Sequence, residues 1–127
     1  NIAGKRIGPP EIEAALTETG EVVDAAAIAA PDDIKGVAVV CICVAAPGVT
    51  PDAALVDRLK DRVGEVVSKP FRPREIHFVE ALPKTRSMKT MRRIVRAAYL
   101  GEDPGDLSSV SNPETMQPIA DLRKETP

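Results

Sequence analysis

Six cations crowd residues 84–96: Lys84, Arg86, Lys89, Arg92, Arg93 and Arg96, with no acid between Glu80 and Glu102. Lys89, Arg92, Arg93 and Arg96 follow i, i+3, i+4, i+7 spacing, so on a helix they share one stripe, opposite Met91, Ile94, Val95 and Ala98. Like charges at that spacing repel each other. An anion relieves the repulsion, and the positive end of a helix starting near Met88 lies beside Lys89. The segment reads either as a phosphate-facing edge or as a solvated basic face whose charge is compensated by acids elsewhere in the fold.

The other residues that could do chemistry favour plainer readings. Gly4-Lys5-Arg6-Ile7-Gly8 places two bases between two glycines. That suits close approach of a ligand to the backbone, and suits an ordinary turn at least as well. Cys41 and Cys43 alternate on a strand pattern and point to one face, as buried inert thiols do. His77 is the single histidine, set among apolar residues without a nucleophile motif to serve. Glu11 and Glu13 diverge on a helix and make no catalytic carboxylate pair. Two cysteines and one histidine exclude a closed Cys/His zinc site, and no metal site is expected. Neither GxxxxGK[ST] nor GxGxxG occurs.

These side chains must be positioned by a chain of 127 residues, one domain in size. Its hydrophobic fraction of 43% and charged fraction of 28% are those of a soluble globular protein rather than a disordered one. Seventeen bases against nineteen acids leave a net charge of −2, which argues against a general nucleic-acid binder. Three aromatics, Phe71, Phe78 and Tyr99, are too few for a base-stacking platform. No apolar run approaches the ~20 residues of a membrane span.

The opening residues read as a strand end and a turn rather than a secretion signal, and predict a piece of a longer protein. Pro9-Pro10-Glu11 starts a helix that ends by Gly20, with Ile12, Ala15 and Leu16 as its apolar stripe. The apolar run at 22–30 reads as a buried strand and the run at 37–45, whose two alternating sets are both apolar, as a strand buried on both faces; the short turn between them favours an antiparallel pair. A second helix follows the Asp52 cap, with Leu55, Leu59, Val63, Val66 and Val67 on one face. A third strand is expected at 75–80, a basic loop at 81–87 and a helix at 88–100. Beyond Gly101 the composition turns to Pro, Gly, Ser and Asp, with a short last helix near 114–123. The expected class is α+β, a small three-stranded sheet flanked by helices. The expected division is a body at 1–101 and a turn-rich tail at 102–127 that packs on or extends from it.

The segment Leu82-Pro83-Lys84-Thr85-Arg86-Ser87-Met88-Lys89-Thr90-Met91-Arg92-Arg93 closely resembles the LPKTRSGKIMRR motif of AMP-forming acyl-CoA synthetases, above all the acetyl-CoA synthetase type. Ala3 to Gly8 with Glu11-Ile12-Glu13 resembles the family's SGHRLGxxEIE segment, and Pro31-Asp32-Asp33-Ile34-Lys35-Gly36 its VPxxIKG turn. Gly105-Asp106-Leu107-Ser108-Ser109-Val110-Ser111-Asn112-Pro113 resembles the LGDxSTLxNP ending of the acetate and propionate enzymes. The matches keep their order along nearly the whole chain. Three departures stand out: Met88 for Gly, Thr90 for Ile and Lys5 for His.

The resemblance implies the C-terminal lid of a two-domain ligase, inactive alone. Its N-terminal partner domain would bind ATP, magnesium and a short-chain carboxylic acid. The acid attacks the α-phosphate to give acyl-adenylate and pyrophosphate, and CoA then displaces AMP. Lys89 aligns with the adenylation lysine and Arg6 with an arginine at the adenylate phosphate. Ala3 and Gly4 align with the segment that shapes the pantetheine tunnel after the lid rotates. An arginine that meets the CoA nucleotide aligns near Gly64, with Arg62 as the candidate substitute. The resemblance further implies acetylation of Lys89 by a lysine acetyltransferase, reversed by a deacetylase, a cytoplasmic setting, and neither nucleic acid nor membrane as partner. If the Met88 position requires positive φ, Met costs roughly 1 kcal/mol or more there; a rebuilt or already helical loop is the favoured alternative. The rival readings are a free-standing module whose basic helix binds nucleic acid or an acidic protein, and a catalytically silent lid homologue.

Overall fold

The computed structural model describes residues 8–34 and 36–125. Helix α1, Pro9–Thr17, starts on two prolines whose missing N–H groups would be unpaired there in any case. Glu11 closes its first turn by accepting the Gly8 N–H at 3.0 Å. Strands β1 (Val22–Asp32) and β2 (Gly36–Ala45) form an antiparallel hairpin, and Gly36 at φ 83 takes the left-handed conformation at its turn. Helix α2, Ala53–Val66, is capped by the Asp52 carboxylate, which accepts the Leu55 N–H at 2.8 Å. It forms the crossover that a parallel pair needs, returning the chain to β3 (Glu75–Phe78) beside β2. The sheet order is β1-β2-β3.

Both faces of the sheet are covered. On one, Ala25, Ala27, Cys41, Cys43 and Ile76 pack with Ile12 and Leu16 of α1 and Leu55, Leu59 and Val63 of α2. On the other, Ala26, Ile28, Val40 and Ile42 meet Val95 and Tyr99 of α3 (Arg92–Leu100) and Ile119 of α4 (Met116–Glu125). The continuous apolar runs at 22–30 and 37–45 follow from this double burial. Small alanines on β1 let the helices approach closely. A short 3-10 turn at Pro113–Thr115 leads into α4, so the residues after Gly101 return to the core rather than trail away.

Two details position the loop that carries Lys89. First, the β1 register slips between Val22 and Asp24, leaving Val23 as an extra, exposed residue. Val22 therefore packs with the α1/α2 core, whereas Asp24 takes the side of Ala26 and Ile28, toward residues 82–91. Second, the helix expected at 88–100 begins only at Arg92. Met88 sits at φ 68, which a right-handed helix cannot contain, and residues 84–90 pair back on themselves. The conditional strain at Met88 is thus present, and the helical-loop alternative is corrected.

Candidate functional site

Residues 82–91 form a small hairpin. Its base is anchored by Leu82, 1% exposed in the α3/α4 core. Lys84 and Thr90 face each other across it. The Thr85 N–H donates to Lys89 O at 2.9 Å and the Met91 N–H to Pro83 O at 3.0 Å. At the tip the Met88 N–H closes a turn onto Thr85 O at 2.9 Å, and Met88 follows in the left-handed region. A turn followed by a left-handed residue is the usual build of a short hairpin loop, normally with glycine at that place. The Thr85 hydroxyl accepts the Lys89 N–H at 3.1 Å, which fixes the backbone that carries the lysine.

The six cations divide sharply. Lys84 lies inward: its ammonium is 2.5 Å from Asp24 Oδ2 and donates to Thr90 Oγ1 at 2.9 Å. Arg92 makes two 2.6 Å bonds to the Glu13 carboxylate, which also accepts the Ala27 N–H at the outer edge of β1. The hydrogen bonds and charge of Glu13 outweigh partial burial and raise the Arg92 pKa. Arg96 covers the same edge through Ala29 O at 3.1 Å and pairs with Glu102. Arg93 donates to the carbonyls of Pro104 and Asp106 in the tail. Among the described residues, Arg86 and Lys89 alone of the six make no ion pair or side-chain hydrogen bond, and both are exposed. The expected four-residue basic stripe is therefore corrected. Lys89 precedes the helix, and the arginines are spent on internal contacts that leave no continuous basic face.

Arg86 also lines an open polar cleft of about 440 Å³ with Thr85, Ser87, Ser108 and Ser109, immediately beside the lysine. A larger groove between the end of β3 and α4, about 620 Å³, is rimmed by Glu80, Glu114 and Leu122 and lies away from the hairpin tip.

Ala3, Gly4 and Arg6 lie outside the described residues. Arg62 is described, and its guanidinium ties α2 to α1: Nε donates to Ala15 O at 2.5 Å and a terminal nitrogen reaches Glu18 at 3.4 Å. A Cβ on Gly64 would stand 3.5 Å from the Arg72 side chain, which is held by Asp61. Cys41 and Cys43 are wholly buried. Burial, with nearby negative charge, raises both thiols, Cys43 to about 12. His77 shares Glu75 Oε1 with the Tyr99 hydroxyl, at 2.9 and 3.0 Å, a network that joins β3 to α3. Among the described residues no three His, Cys, Asp or Glu side chains gather to hold a metal, and no helix is long and apolar enough to cross a membrane.

Sequence reasoning missed Asp24, Ser111 and Asn112 as the supports of the hairpin. Asp24 left a trace, since it is the single charge within the otherwise apolar run 22–30, where an acid needs a partner. Ser111-Asn112-Pro113 registered as a turn and as part of the family-like ending, with no structural role toward the hairpin.

A lysine at the tip of a braced hairpin, on a three-stranded sheet packed between helix pairs, defines a class. The model of the AMP-binding enzyme C-terminal domain matches residues 11–89, and the chain belongs to that family. It is 38% identical over 128 residues to 3-hydroxypropionyl-coenzyme A synthetase of Metallosphaera sedula, covering 98% of this chain and 19% of that protein. It is also 38% identical to acetyl-coenzyme A synthetase of Methanothrix soehngenii, covering 94% of this chain and 18% of that one. Among solved structures it resembles an acyl-CoA synthetase of Brucella canis, with TM-score 0.72 and 35% identity over 78% of this chain and 18% of that one. It superposes on acetoacetyl-CoA synthetase of Streptomyces lividans with TM-score 0.79 over 96% of this chain and 19% of that one; at 23% identity this speaks for the fold. The chain thus spans about a fifth of the length of these relatives, which are acyl-CoA synthetases, acid–thiol ligases.

Proposed function

We propose that this chain is the mobile lid of an acid–CoA ligase that activates a short-chain carboxylic acid, and that Lys89 supplies the positive charge for adenylation. The observation that carries the reading is the contrast within the basic segment: Lys89 is exposed on a braced hairpin with no ion pair among the described residues, whereas Lys84, Arg92, Arg93 and Arg96 are consumed internally. In the first half-reaction a carboxylate oxygen bonds to the α-phosphorus of ATP and the bond to pyrophosphate breaks. Anion approaches anion, and charge accumulates on the phosphoryl oxygens. A lysine ammonium on a rigid tip offsets that charge, and a moving domain can withdraw it. In the second half-reaction the CoA sulfur attacks the acyl carbon and AMP leaves with the bonding electrons, a step that builds less charge where the lysine stands.

Arg6 is assigned to the adenylate phosphate, and Ala3 and Gly4 to the pantetheine tunnel after rotation. Magnesium and most contacts to ATP and CoA are assigned to the N-terminal domain of the same protein. Arg62 is a poor candidate for the CoA nucleotide, since its guanidinium is already engaged by Ala15 and Glu18. An acetate- or propionate-like acid fits the relatives named for acetyl- and 3-hydroxypropionyl-CoA. A cytoplasmic setting, where ATP and CoA are available, belongs to the same reading. The exposed Lys89 ammonium is also the candidate for acetylation by an acetyltransferase and release by a deacetylase, which would remove the charge and mimic alanine.

The test is Lys89→Ala in the complete enzyme. Acyl-adenylate formation, read by pyrophosphate exchange, is expected to fall by about 10² to 10³. Thioester formation from preformed acyl-adenylate is expected to continue. Equal loss in both halves, or none in the first, rejects the role of Lys89.

A further inference from the structure

Building on that assignment of Lys89, we infer that Asn112, seconded by Ser111, is a positioning residue for the adenylation lysine: the tail covers the open edge of the lysine hairpin. The pairing pattern makes this necessary. Thr85 N–H to Lys89 O and Met91 N–H to Pro83 O flank the Lys84–Thr90 pair, so Lys84 and Thr90 exchange no backbone bonds. The N–H and C=O of Lys84 therefore point away from Thr90, toward the open side of the hairpin, where an edge must be covered or solvated.

The tail covers it. Asn112 Oδ1 accepts the Lys84 N–H at 2.8 Å, and Asn112 Nδ2 donates to Leu82 O at 2.9 Å. One side-chain amide thus serves the backbone on both sides of Pro83, as a neighbouring strand would. The Ser111 N–H donates to Lys84 O at 2.8 Å, and its hydroxyl adds a bond to the same oxygen at 3.1 Å. Asn112 is held in turn by the core. Its carbonyl accepts the Thr115 hydroxyl at 2.7 Å and the Thr115 N–H at 3.1 Å. Thr115 is buried at the head of α4, whose Ile119 is fully enclosed. On the opposite side Asp24 grips Lys84 and Thr90. The hairpin base is clamped from two directions, and a displacement there moves the tip that carries Lys89. A reacting group displaced by about 1 Å can lose ~10²-fold in rate.

The decisive experiment uses the complete enzyme with the two half-reactions assayed separately. Asn112→Ala is expected to lower kcat for acyl-adenylate formation by roughly tenfold to a hundredfold. The KM for ATP should stay within about twofold, and thioester formation from preformed acyl-adenylate should be unchanged, because Asn112 acts through Lys89 and not through binding. In a Lys89→Ala background, Asn112→Ala should cost nothing further in adenylation. Asn112→Asp keeps the acceptor for Lys84 and loses the donor to Leu82, so it should fall between wild type and alanine; it also serves if the alanine variant does not fold. Equal loss in both half-reactions, an undiminished loss in the Lys89→Ala background, or full adenylation activity in both Asn112 variants overturns the inference while leaving the role of Lys89 intact. Full adenylation activity in Lys89→Ala itself overturns both.

Discussion

Lys84 and Lys89 belong to one hairpin and have opposite surroundings. Lys84 is 15% exposed and bonded to Asp24 and Thr90, while its backbone is bonded to Asn112 and Ser111. Lys89 is exposed, and its ammonium bonds to no described residue. The same side chain is a structural tie at the base and a free point charge at the tip. The difference teaches that an exposed, unpaired charge at a hairpin tip needs an immobile foundation: Lys84, Arg92, Arg93 and Arg96 are engaged in internal contacts, and only Arg86 shares the free state of Lys89 among the described residues.

Paired substitutions break the comparison most directly. Lys84→Ala leaves the Asp24 carboxylate without its cationic partner in a mostly enclosed place and should lower unfolding free energy by roughly 2–3 kcal/mol, read by denaturant titration. Lys89→Ala should change it by less than about 0.5 kcal/mol, as exposed sites do, despite its large effect on adenylation. If the two stabilities move alike, base and tip are not distinct.

A pH series sharpens it with a second foundation, the network joining β3 to α3. Burial pushes the Glu75 carboxyl up, but hydrogen bonds from His77 and Tyr99 and the charges of His77 and Arg74 outweigh it, so its pKa lies below the ordinary value. A lowered pKa contributes stability above the unfolded value, about 4.3, and that contribution is lost as pH falls through the folded one. Burial and the Glu75 bond raise Tyr99 to about 12. That contribution is complete below the unfolded value, about 10, and is lost as pH rises toward the folded one. Thermal midpoints should therefore fall at both ends of the range, and Glu75→Gln should flatten the acid limb while leaving Lys89 chemistry untouched.

The smallest effect belongs to the tip. Met88→Gly removes a left-handed penalty of about 1–2 kcal/mol and adds roughly 0.5–1 kcal/mol of unfolded-state entropy. A net gain of about 1 kcal/mol or less is expected in denaturant titration. A loss instead would mean that the exposed Met88 side chain, not the backbone, holds the tip.

Much of the scaffold was legible because it is local. The apolar run at 22–30 marked a buried strand, the two alternating apolar sets on 37–45 a strand covered on both faces, and Asp52 the start of α2. The start of α3 was misplaced because residues 88–91 suit a helix by type, while the hairpin bonds and the left-handed Met88 oppose it. Local preference lost to long-range pairing. Lys89 was singled out as the candidate through its motif. The parts that hold it, Asp24 and Asn112, were not, since neither is close to it in the chain.

What the residues decide by themselves is the order of elements, the faces they bury and the loop that bears the lysine, since periodicity, caps and motif all lie within short windows. Only tertiary structure decides which cations remain available. Arg92 meets Glu13 from 79 residues away, and such pairings depend on where the sheet and helices bring distant backbone together. A charge count along the chain sees six equivalent cations in this segment; three dimensions engage four of them and leave Arg86 and Lys89 to face outward.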